Sequence, residues 1–577
     1  MKDFFKNTFS TLLALFIFSF LIILILVYTI SSFSKKDKVY LMNDSILKIN
    51  IDHKILERSS NNPLESIKLT GIPDAKNLEL KELLANITKA KTHPRIKGIY
   101  LKISSIDAGF SQLEEIRNRL LDFRDSGKFI YAFSETFTQE SYYLSSVSNK
   151  VFMSPEGLIE LKGISAQVLF YKDLLDKLGV ETQIVRSGKY KAAVEPFMSN
   201  SMSLENREQI DRMISSIFDK MKDDISDSRD ITTRVIDSAA NNLLLNSSNK
   251  AKELNFIDEI CYEDQALDEV LKRTSNRFVS YKEFSKVESH VNTYSRNRIA
   301  VIYANGPIVS GKGNHDEIGS TTISKVIREA ADDDNVRSIV IRVNSPGGSA
   351  LASDIILREI KLAGDKKPIV ISMGDYAASG GYYISCYAHK IFASATSITG
   401  SIGVFGVLVN LETLLNDKIG INVETVNTNK YSDFGSGTRP LSDKERIVIT
   451  ESIDNIYNQF IYHVSNGRDK SIDYVDSIAQ GRVWSGRDGL DLGLVDEIGG
   501  LDDAIIEAAN LAGLDDYRVV YLPKKESLIG EIISNFSRDE IYIPEMIGIN
   551  KSLIYQFLDL AKNDLIQTRM PYLIRLD

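Results

Sequence analysis

Two residue types that build metal sites are scarce in this chain of 577 residues. It contains two cysteines, Cys261 and Cys386, and six scattered histidines, and it has no CxxC or HExxH motif. Because zinc sites depend on closely spaced thiolate and imidazole ligands, we expect neither a metal ion nor another cofactor. The two thiols can form a disulfide only if the fold brings their Cα atoms within about 7 Å.

An excess of positive charge is also missing. The chain has 69 lysines and arginines against 78 aspartates and glutamates, which gives a formal net charge of -9. Nucleic-acid-binding proteins need a basic surface that neutralises phosphates. The charge balance therefore argues against a nucleic-acid partner.

Only one long apolar run occurs. Residues 11–33 carry no charge, and the run matches the roughly 20 residues that cross a bilayer as a helix. No AxA-like cleavage site follows it, which favours an uncleaved membrane anchor over a signal peptide. Lysines flank the run on both sides, so the flanking charges leave its orientation open. The remainder of the chain is expected to be soluble.

The chain contains an internal repeat with an offset of about 240 residues. Residues 96–105 (IKGIYLKISS) resemble residues 336–345 (VRSIVIRVNS), and further short pairs follow in the same order. Those pairs are Tyr142-Tyr143 with Tyr382-Tyr383, Val151-Phe152 with Ile391-Phe392, Leu174-Leu175 with Leu414-Leu415, and residues 254–260 with 492–498. A series of matches at nearly constant spacing indicates a duplication.

Short runs of branched apolar residues alternate with helical stretches in each repeat. This alternation is typical of parallel βαβ units, so we predict an α/β fold with two tandem βαβ repeats. The predicted division is an N-terminal transmembrane anchor (1–38), a first repeat (39–290), a second repeat (291–523) and a helical C-terminal tail (524–577).

Three turns rich in glycine and serine lie in the second repeat, at residues 344–349 (NSPGGS), 377–381 (AASGG) and 399–406 (TGSIGVFG). Such turns either close tight strand-to-helix connections or present backbone N–H groups to an oxyanion. The first repeat has no comparable turn at the equivalent positions. The duplicated architecture does not require these glycines, which favours a functional role.

A hydroxyl nucleophile needs a general base, and a lysine stands out more than any histidine. His389 enters a predicted strand, where a surface or turn histidine is the simpler interpretation, and His315 lies in a predicted loop. Lys191, in SGKYKAAVEPF of the first repeat, faces Ser432 and so has no counterpart in the second repeat. Most lysines are simply solvated. Here, however, one repeat holds an unmatched lysine and the other holds the unmatched serine turns.

The same motifs, taken together, point to a known family. GKYKAAVEPF, SPGGS, AASGGYY, TGSIGVFG and GRVWSGRDGLDLGLVDEIGG occur in the order seen in signal peptide peptidase A, in its long two-repeat form, and this chain resembles that family over nearly its whole length. The resemblance implies a ClpP/crotonase-like fold and a serine/lysine dyad. The family's nucleophile is the serine of the TGSIG turn, here Ser401, and its general base is the lysine at Lys191.

The resemblance also implies how and where the protein works. It implies a homotetramer that degrades signal-peptide remnants and similar apolar peptides through an acyl-enzyme. It implies a single-pass protein of the bacterial inner membrane, with the catalytic domain on the periplasmic side. A lysine acts as a base only when neutral, so the pKa of Lys191 must lie well below the ordinary value of about 10.4.

Oxyanion donors and one competing serine come from the other glycine turns. Backbone N–H groups of Gly347, Gly348 and Gly380 are the expected donors. Ser379 lies in an AAS turn like the one that carries the nucleophile in ClpP-type proteases, which makes it the competitor of Ser401. Because no histidine follows at a suitable place, we assign Ser379 to the support of substrate binding.

Two other functions are compatible with the sequence. A crotonase-type acyl-CoA hydratase or isomerase would share the βαβ units and the backbone oxyanion hole, but it would use carboxylates. A non-catalytic membrane scaffold would share the anchor, but it would not need both Ser401 and Lys191.

Overall fold

The structure is a computed structural model, and it describes most of the chain. The described residues are 2–33, 41–52, 54–58, 77–274, 277–288, 295–314, 316–524 and 566–570; of residues 2, 3, 5 and 22–33 only the backbone is described. Both cysteines are free, with Cys386 buried and Cys261 partly exposed.

The first half of the chain alternates strands and helices. Its helices are α1 (Lys2–Phe33), α2 (Leu80–Thr92), α3 (Phe110–Asp125), α4 (Gln139–Ser145), α5 (Lys172–Leu178), α6 (Glu195–Met198), α7 (Leu204–Arg229), α8 (Thr233–Asn241), α9 (Ser248–Glu253), α10 (Glu263–Lys272) and α11 (Tyr281–Ser285), with a 3-10 turn at Ala192–Val194. Its strands are β1 (Ser45–Asn50), β2 (Ile55–Leu56), β3 (Leu78–Glu79), β4 (Ile96–Lys102), β5 (Phe129–Ser134), β6 (Phe137–Thr138), β7 (Lys150–Met153), β8 (Ile159–Glu160), β9 (Glu181–Ser187), β10 (Glu259–Ile260) and β11 (Phe278–Ser280).

The second half repeats this alternation. Its helices are α12 (Ser320–Asp332), α13 (Ala350–Gly364), α14 (Gly380–Ser385), α15 (Asp443–Arg468), α16 (Ile472–Ile478), α17 (Gly486–Asp491) and α18 (Leu501–Leu511), with a π-helical turn at Leu414–Ile419. Its strands are β12 (Arg298–Asn305), β13 (Ile308–Val309), β14 (Ile318–Gly319), β15 (Val336–Ser345), β16 (Gly347–Ser349), β17 (Ile369–Ala378), β18 (Lys390–Ala393), β19 (Ile398–Gly400), β20 (Val404–Asn410), β21 (Val483–Ser485), β22 (Glu497–Ile498), β23 (Arg518–Leu522) and β24 (Ile566–Arg569).

Each half builds its own sheet from parallel strands. The strand order is β10-β7-β5-β4-β1-β11 in the first sheet and β21-β19-β17-β15-β12-β23 in the second, where β18 and β22 extend from β17. Neighbouring strands in both sheets are parallel, apart from the β19–β21 pair. The predicted α/β fold with two tandem βαβ repeats is therefore confirmed.

The central strands are apolar on both faces because helices cover both faces of the sheet. In β15, Ile339 and Ile341 pack on one face with Ile356 of α13. Val340 points to the opposite face and packs with Ala504 of α18. Strands that are buried on both sides read as continuous apolar runs, which is why this segment could be predicted from the sequence.

Equivalent tyrosines of the two halves make equivalent hydrogen bonds. Tyr142 of α4 donates its hydroxyl hydrogen to the carbonyl of Phe256 at 2.8 Å. Tyr382 of α14 donates to the carbonyl of Leu494 at 3.0 Å. This shared internal contact supports the duplication inferred from the sequence.

His389 has a structural role that it shares with its counterpart in the first half. Its Nδ1 accepts a hydrogen bond from the N–H of Ile369 at 3.1 Å. At the equivalent place in the first half, Asn149 accepts from the N–H of Ile130 at 2.8 Å. His389 is exposed, and its ring completes the beginning of strand β17.

A third sheet joins the two halves, with the order β14-β13-β16-β24-β20-β9. Strand β9 of the first half pairs antiparallel with β20 of the second half, from Glu181 opposite Asn410 to Ser187 opposite Val404. The C-terminal strand β24 lies between β20 and β16. The two halves are therefore connected by backbone hydrogen bonds as well as by side chains.

A buried ion network also connects the halves. Arg342 of β15 donates to Glu57 at 2.8 and 3.0 Å and to Glu115 of α3 at 2.5 Å. All three side chains are at most 5% exposed. Burial opposes the charge of Arg342, but the two carboxylates outweigh it and hold the pKa of Arg342 well above its ordinary value. Burial raises the pKa of Glu115.

Two terminal predictions fall partly outside the described residues. The apolar run at residues 11–33 belongs to α1, but its side chains beyond Leu21 are among those not described. Within the described part of the chain, no helix is both long and apolar enough to cross a membrane.

The tail that the sequence predicts as helical differs where the structure describes it. Residues 525–565 and 571–577 lie outside the described part, and Ile566–Arg569 form the strand β24. This segment is extended because β16 and β20 offer backbone partners on both of its sides. Such partners are distant in the chain, so local periodicity does not reveal them.

Candidate active site

The pairing of β9 with β20 determines where the predicted dyad lies. Ser187, the last residue of β9, faces Val404, the first residue of β20. Lys191 comes shortly after Ser187, and Ser401 comes shortly before Val404. The two residues are 210 positions apart in the chain, and they meet at the same end of this strand pair.

The Lys191 amine contacts two serines. Its Nζ lies 2.7 Å from Ser379 Oγ, 3.0 Å from Ser401 Oγ and 2.9 Å from the Ser401 carbonyl oxygen. All three side chains are fully buried. The sequence predicts the approach of Lys191 to Ser401, but it does not predict that the contact with Ser379 is the shorter one.

Burial lowers the pKa of Lys191 well below its ordinary value. No acidic side chain in the described part of the chain offsets this effect, because burial is the sole cause of the shift. A buried amine without a carboxylate partner can lose its proton near neutral pH. Its lone pair can then accept a hydrogen bond from a serine hydroxyl, which is the state that general-base catalysis requires.

Ser379 lies at a strained junction between a strand and a helix. It follows β17 and precedes α14, with backbone angles φ 56° and ψ −114°. A residue other than glycine adopts such angles only where the surrounding structure enforces them. Gly380 is the first residue of α14, so its N–H has no partner inside that helix.

Of the predicted glycines, Gly347 and Gly380 lie beside Ser379, whereas a Cβ built at Gly348 would meet the backbone of Ile308. A Cβ built at Gly347 would be 3.0 Å from Ser379 Cβ and 2.8 Å from Gly380 N, and its φ of 98° suits glycine. The Gly347 N–H donates to Ser345 Oγ at 3.2 Å. Ser379 is the serine whose hydroxyl lies closest to the Lys191 amine, and Gly380 directly follows it. The Gly380 N–H is one of the predicted oxyanion donors.

Ser401 holds the amine from the other side. Its φ is 52°, and its N–H donates to the carbonyl of Arg482 at 2.6 Å. This bond fixes the turn so that the carbonyl of Ser401 accepts a hydrogen bond from Lys191 at 2.9 Å. Ser401 is therefore a neighbour of the amine through both its backbone and its side chain.

A loop of the second half, which the sequence analysis missed, fixes the backbone beside the lysine. The Tyr190 N–H donates to the Gln480 carbonyl at 2.8 Å, and the Gly481 N–H donates to the Ile402 carbonyl at 2.8 Å. A Cβ at Gly481 would lie 2.6 Å from Lys191 Cβ, so the loop approaches this closely only with glycine. Gly481 is the first residue of the GRVWSGRDGLDLGLVDEIGG motif, but nothing in that motif predicts that it lies against Lys191.

Among the residues that the structure describes, the first half has no equivalent centre. Gln139, at the position equivalent to Ser379, accepts hydrogen bonds from the N–H groups of Lys162 and Gly163 at 3.3 and 2.9 Å. Ser432, which faces Lys191 in the sequence comparison, is exposed. His315 lies outside the described residues. In the described ranges, no group of three or more histidine, cysteine, aspartate or glutamate side chains could hold a metal ion.

Comparison with known proteins gives the family. Residues 122–276 and 361–515 each match peptidase family S49, one match in each half of the chain. Protease 4 of Salmonella typhi is 35% identical over 81% of this chain and 78% of that protein. A chloroplastic serine protease, SPPA, of Arabidopsis thaliana is 33% identical over 85% of this chain and 74% of that protein.

The chain therefore belongs to peptidase family S49 and is a serine-type peptidase. The family and the enzyme class predicted from the sequence are confirmed, and the hydratase and scaffold alternatives lose their support. Among solved structures, a ClpP1 mutant of Listeria monocytogenes is 15% identical with a TM-score of 0.25, over 36% of this chain and 95% of that chain. The ClpP/crotonase-like character of each repeat stays a prediction.

Proposed function

We propose that this serine peptidase uses Lys191 as its general base and a serine hydroxyl as its nucleophile. The observation that carries the proposal is the buried amine with two hydroxyl oxygens within 3.0 Å. Burial lowers the pKa of that amine, which supplies a neutral base. A dyad of this kind needs no histidine, in agreement with the structural role of His389.

The geometry favours Ser379 as the nucleophile. Ser379 Oγ is closer to the amine than Ser401 Oγ, at 2.7 Å against 3.0 Å. Nucleophilic serines commonly lie on strained strand-to-helix turns, where the N–H of the next residue helps to bind the oxyanion. Ser379 and Gly380 have this arrangement. Ser401, which the sequence predicts as nucleophile, stays the alternative, and in the favoured arrangement it orients the amine.

The reaction then follows from the positions of these groups. Lys191 takes the proton of the Ser379 hydroxyl as Ser379 Oγ attacks the peptide carbonyl carbon. The carbonyl oxygen becomes negatively charged beside the Gly380 N–H, with Gly347 and Gly348 lining the same turn. The protonated lysine gives its proton to the leaving amine, and an acyl-enzyme forms. Water, deprotonated by the same lysine, hydrolyses the acyl-enzyme.

Three single substitutions test the dyad. Lys191→Ala and Ser379→Ala are each expected to lower kcat for a peptide ester by at least about 10³-fold. Ser401→Ala is expected to cost only about tenfold, because it removes one contact of the amine. Circular dichroism would show that each variant stays folded. A fully active Lys191→Ala protein would refute the dyad, and a loss for Ser401→Ala that matches or exceeds that for Ser379→Ala would support Ser401 instead.

The proposed substrates are extended apolar peptides such as signal-peptide remnants. We place the protein in the bacterial inner membrane, held by the single apolar run at residues 11–33, with its catalytic part on the periplasmic side. The uncharged run and the family resemblance support this location. The full-length double variant Leu15→Asp/Phe18→Asp should move from the membrane fraction to the soluble fraction. Its retention in the membrane fraction would argue against this anchor.

The proposed homotetramer is supported by two segments that are equivalent to β9 and β20 in the repeat but do not form strands in this chain. Through the internal repeat, residues 421–427 correspond to β9 and residues 164–170 correspond to β20. Neither of these described segments belongs to a strand. Ile421, Val423 and Val426 are 49%, 45% and 100% exposed, which is unusual for branched apolar side chains. If residues 421–427 of each copy paired with residues 164–170 of the next copy, the copies would form a closed ring.

A further inference from the structure

The C-terminal strand β24 occupies the groove beside the dyad. It lies between β16 and β20 and runs antiparallel to both. Gln567 faces Ser349 on one side and Phe405 on the other. The Met570 N–H donates to the carbonyl of Pro346 at 2.7 Å. Added strands hold extended peptides in this way, with main-chain hydrogen bonds for affinity and pockets for alternate side chains.

Thr568 places a peptide carbonyl next to Gly347, beside the turn of Ser379. A Cβ built at Gly347 would lie 2.2 Å from the Thr568 carbonyl oxygen, and the same point is 2.8 Å from Gly380 N and 3.0 Å from Ser379 Cβ. The Thr568 hydroxyl donates to the carbonyl of Gly348 at 3.2 Å. The carbonyl of residue 568 therefore lies beside the turn that carries the proposed nucleophile.

Met570 fills an apolar pocket formed by both halves of the chain. It is 4% exposed and packs against Met213 and Ile217 of α7 and against Val483 of β21. Thr568 and Met570 are two residues apart, so their side chains point to the same face of the strand. The groove thus holds a small polar side chain followed, two positions later, by a long unbranched apolar one.

The strand and the dyad are buried together. Thr568, Ser379, Ser401 and Lys191 all have no exposed surface. A peptide cannot reach the dyad from solution while β24 fills the groove between β16 and β20. Occupation of the groove by this chain's own segment is therefore incompatible with hydrolysis of another peptide.

We infer that residues 566–570 form a built-in, substrate-like inhibitor of this peptidase. The segment binds as an extended peptide in the substrate groove and must leave before a substrate can enter. This inference rests on the proposed function of the groove. It also names the substrates that displace the segment best: extended peptides with a small side chain at the Thr568 position and a long apolar side chain at the Met570 position.

Full-length variants that expel the strand provide the first test. Thr568→Lys and Met570→Lys each place an ammonium group in a buried site without a partner, so the strand should leave the groove. The kcat/KM for a short apolar peptide ester should rise at least about tenfold in both. The matched control Leu511→Lys adds the same charge at an exposed position of α18 and should leave kcat/KM unchanged. Unchanged kcat/KM in both groove variants would overturn the inference.

A peptide added in trans provides the second test, and part of it is independent of catalysis. The peptide DLIQTRMPY, residues 564–572, should inhibit the Thr568→Lys protein competitively, whereas the same peptide with lysine in place of the threonine should not. Fluorescence polarisation with the labelled peptide measures binding to the Thr568→Lys/Ser379→Ala protein. If the peptide binds this protein but no protein that retains Ser379 hydrolyses the ester, the proposed dyad would be wrong. The binding of residues 566–570 in the groove would still be supported. Absence of binding would overturn the inference.

Discussion

Lys191 is the residue on which the proposed chemistry depends. Its amine is fully buried, contacts Ser379 and Ser401, and has a pKa well below its ordinary value because burial disfavours the ammonium form. The same burial that lets the amine be neutral, and so able to accept a proton, near neutral pH also costs folding free energy. Burial of such a lysine serves catalysis at the expense of stability.

The kcat/KM should increase as the pH rises past the lowered pKa of Lys191. Below that pKa the amine is protonated and cannot accept the serine proton; above it the amine is neutral, so kcat/KM rises and then levels off. Lys191→Arg should lose at least about 10³-fold at every pH up to 10, because a guanidinium does not deprotonate. A pH–rate profile with a peptide ester measures both effects. A kcat/KM that falls as the pH rises from 5 to 8 would contradict this role.

The sequence predicted part of the proposed site but not the full arrangement around it. The repeat comparison marked Lys191 and the serine turns as unmatched, and the resemblance to signal peptide peptidase A gave Lys191 and Ser401 their predicted roles. The closer position of Ser379 depends on a backbone φ of 56°, which no residue pattern encodes. The Gly481 contact depends on a loop that is 290 positions away from Lys191 in the chain.

At the scale of elements, the strand pair β9–β20 and the loop at Gly481 bring the lysine to the serines. The pair sets the register, and the loop packs directly against the lysine backbone. Most elements of the second half, such as β15, β17 and α13, follow from local periodicity. Strand β24 does not, because its partners are nonlocal.

Gly481→Ala should displace Lys191 and reduce kcat/KM by about 10- to 100-fold. The added Cβ would lie 2.6 Å from both Lys191 N and Lys191 Cβ, so the backbone of Lys191 must shift to relieve the contact. Gly513→Ala is the matched control, because Gly513 also has a positive φ but has no atom within 4 Å of its Cβ position. Steady-state kinetics on both variants checks the prediction. Equal losses in the two would assign the effect to backbone strain alone.

At the scale of the whole molecule, the residues of the proposed dyad meet only because the two halves are held together. The third sheet and the Arg342 network both cross between the halves. The duplication and the α/β class could be predicted from the sequence. The network could not, because Glu57, Glu115 and Arg342 lie in segments that carry no common motif.

Arg342→Met should lower the free energy of unfolding by about 3–5 kcal/mol, because Glu57 and Glu115 would remain buried without their counter-charge. Arg328→Met is the control: Arg328 pairs with Glu359 at the surface and is 57% exposed, so its loss should lower the free energy of unfolding much less. Urea unfolding of both variants measures the difference. Similar small losses would mean that the network does not hold the halves together.

Val423→Asp should prevent the proposed ring from closing. The substitution places a charge in the exposed segment 421–427, which we expect to pair with residues 164–170 of another copy. Multi-angle light scattering should show a fall from the mass of an oligomer to that of a smaller species. Val448→Asp, on an exposed position of α15, should leave the mass unchanged. An unchanged mass for Val423→Asp would exclude this contact.

The most direct test of the dyad is to map which serine reacts with a serine-directed fluorophosphonate. We predict that mass spectrometry of the full-length protein finds the adduct on Ser379, and that Lys191→Ala prevents labelling. An adduct on Ser401 would assign the nucleophile to the residue predicted from the sequence. Undiminished labelling of the Lys191→Ala protein would contradict activation of a serine by this lysine.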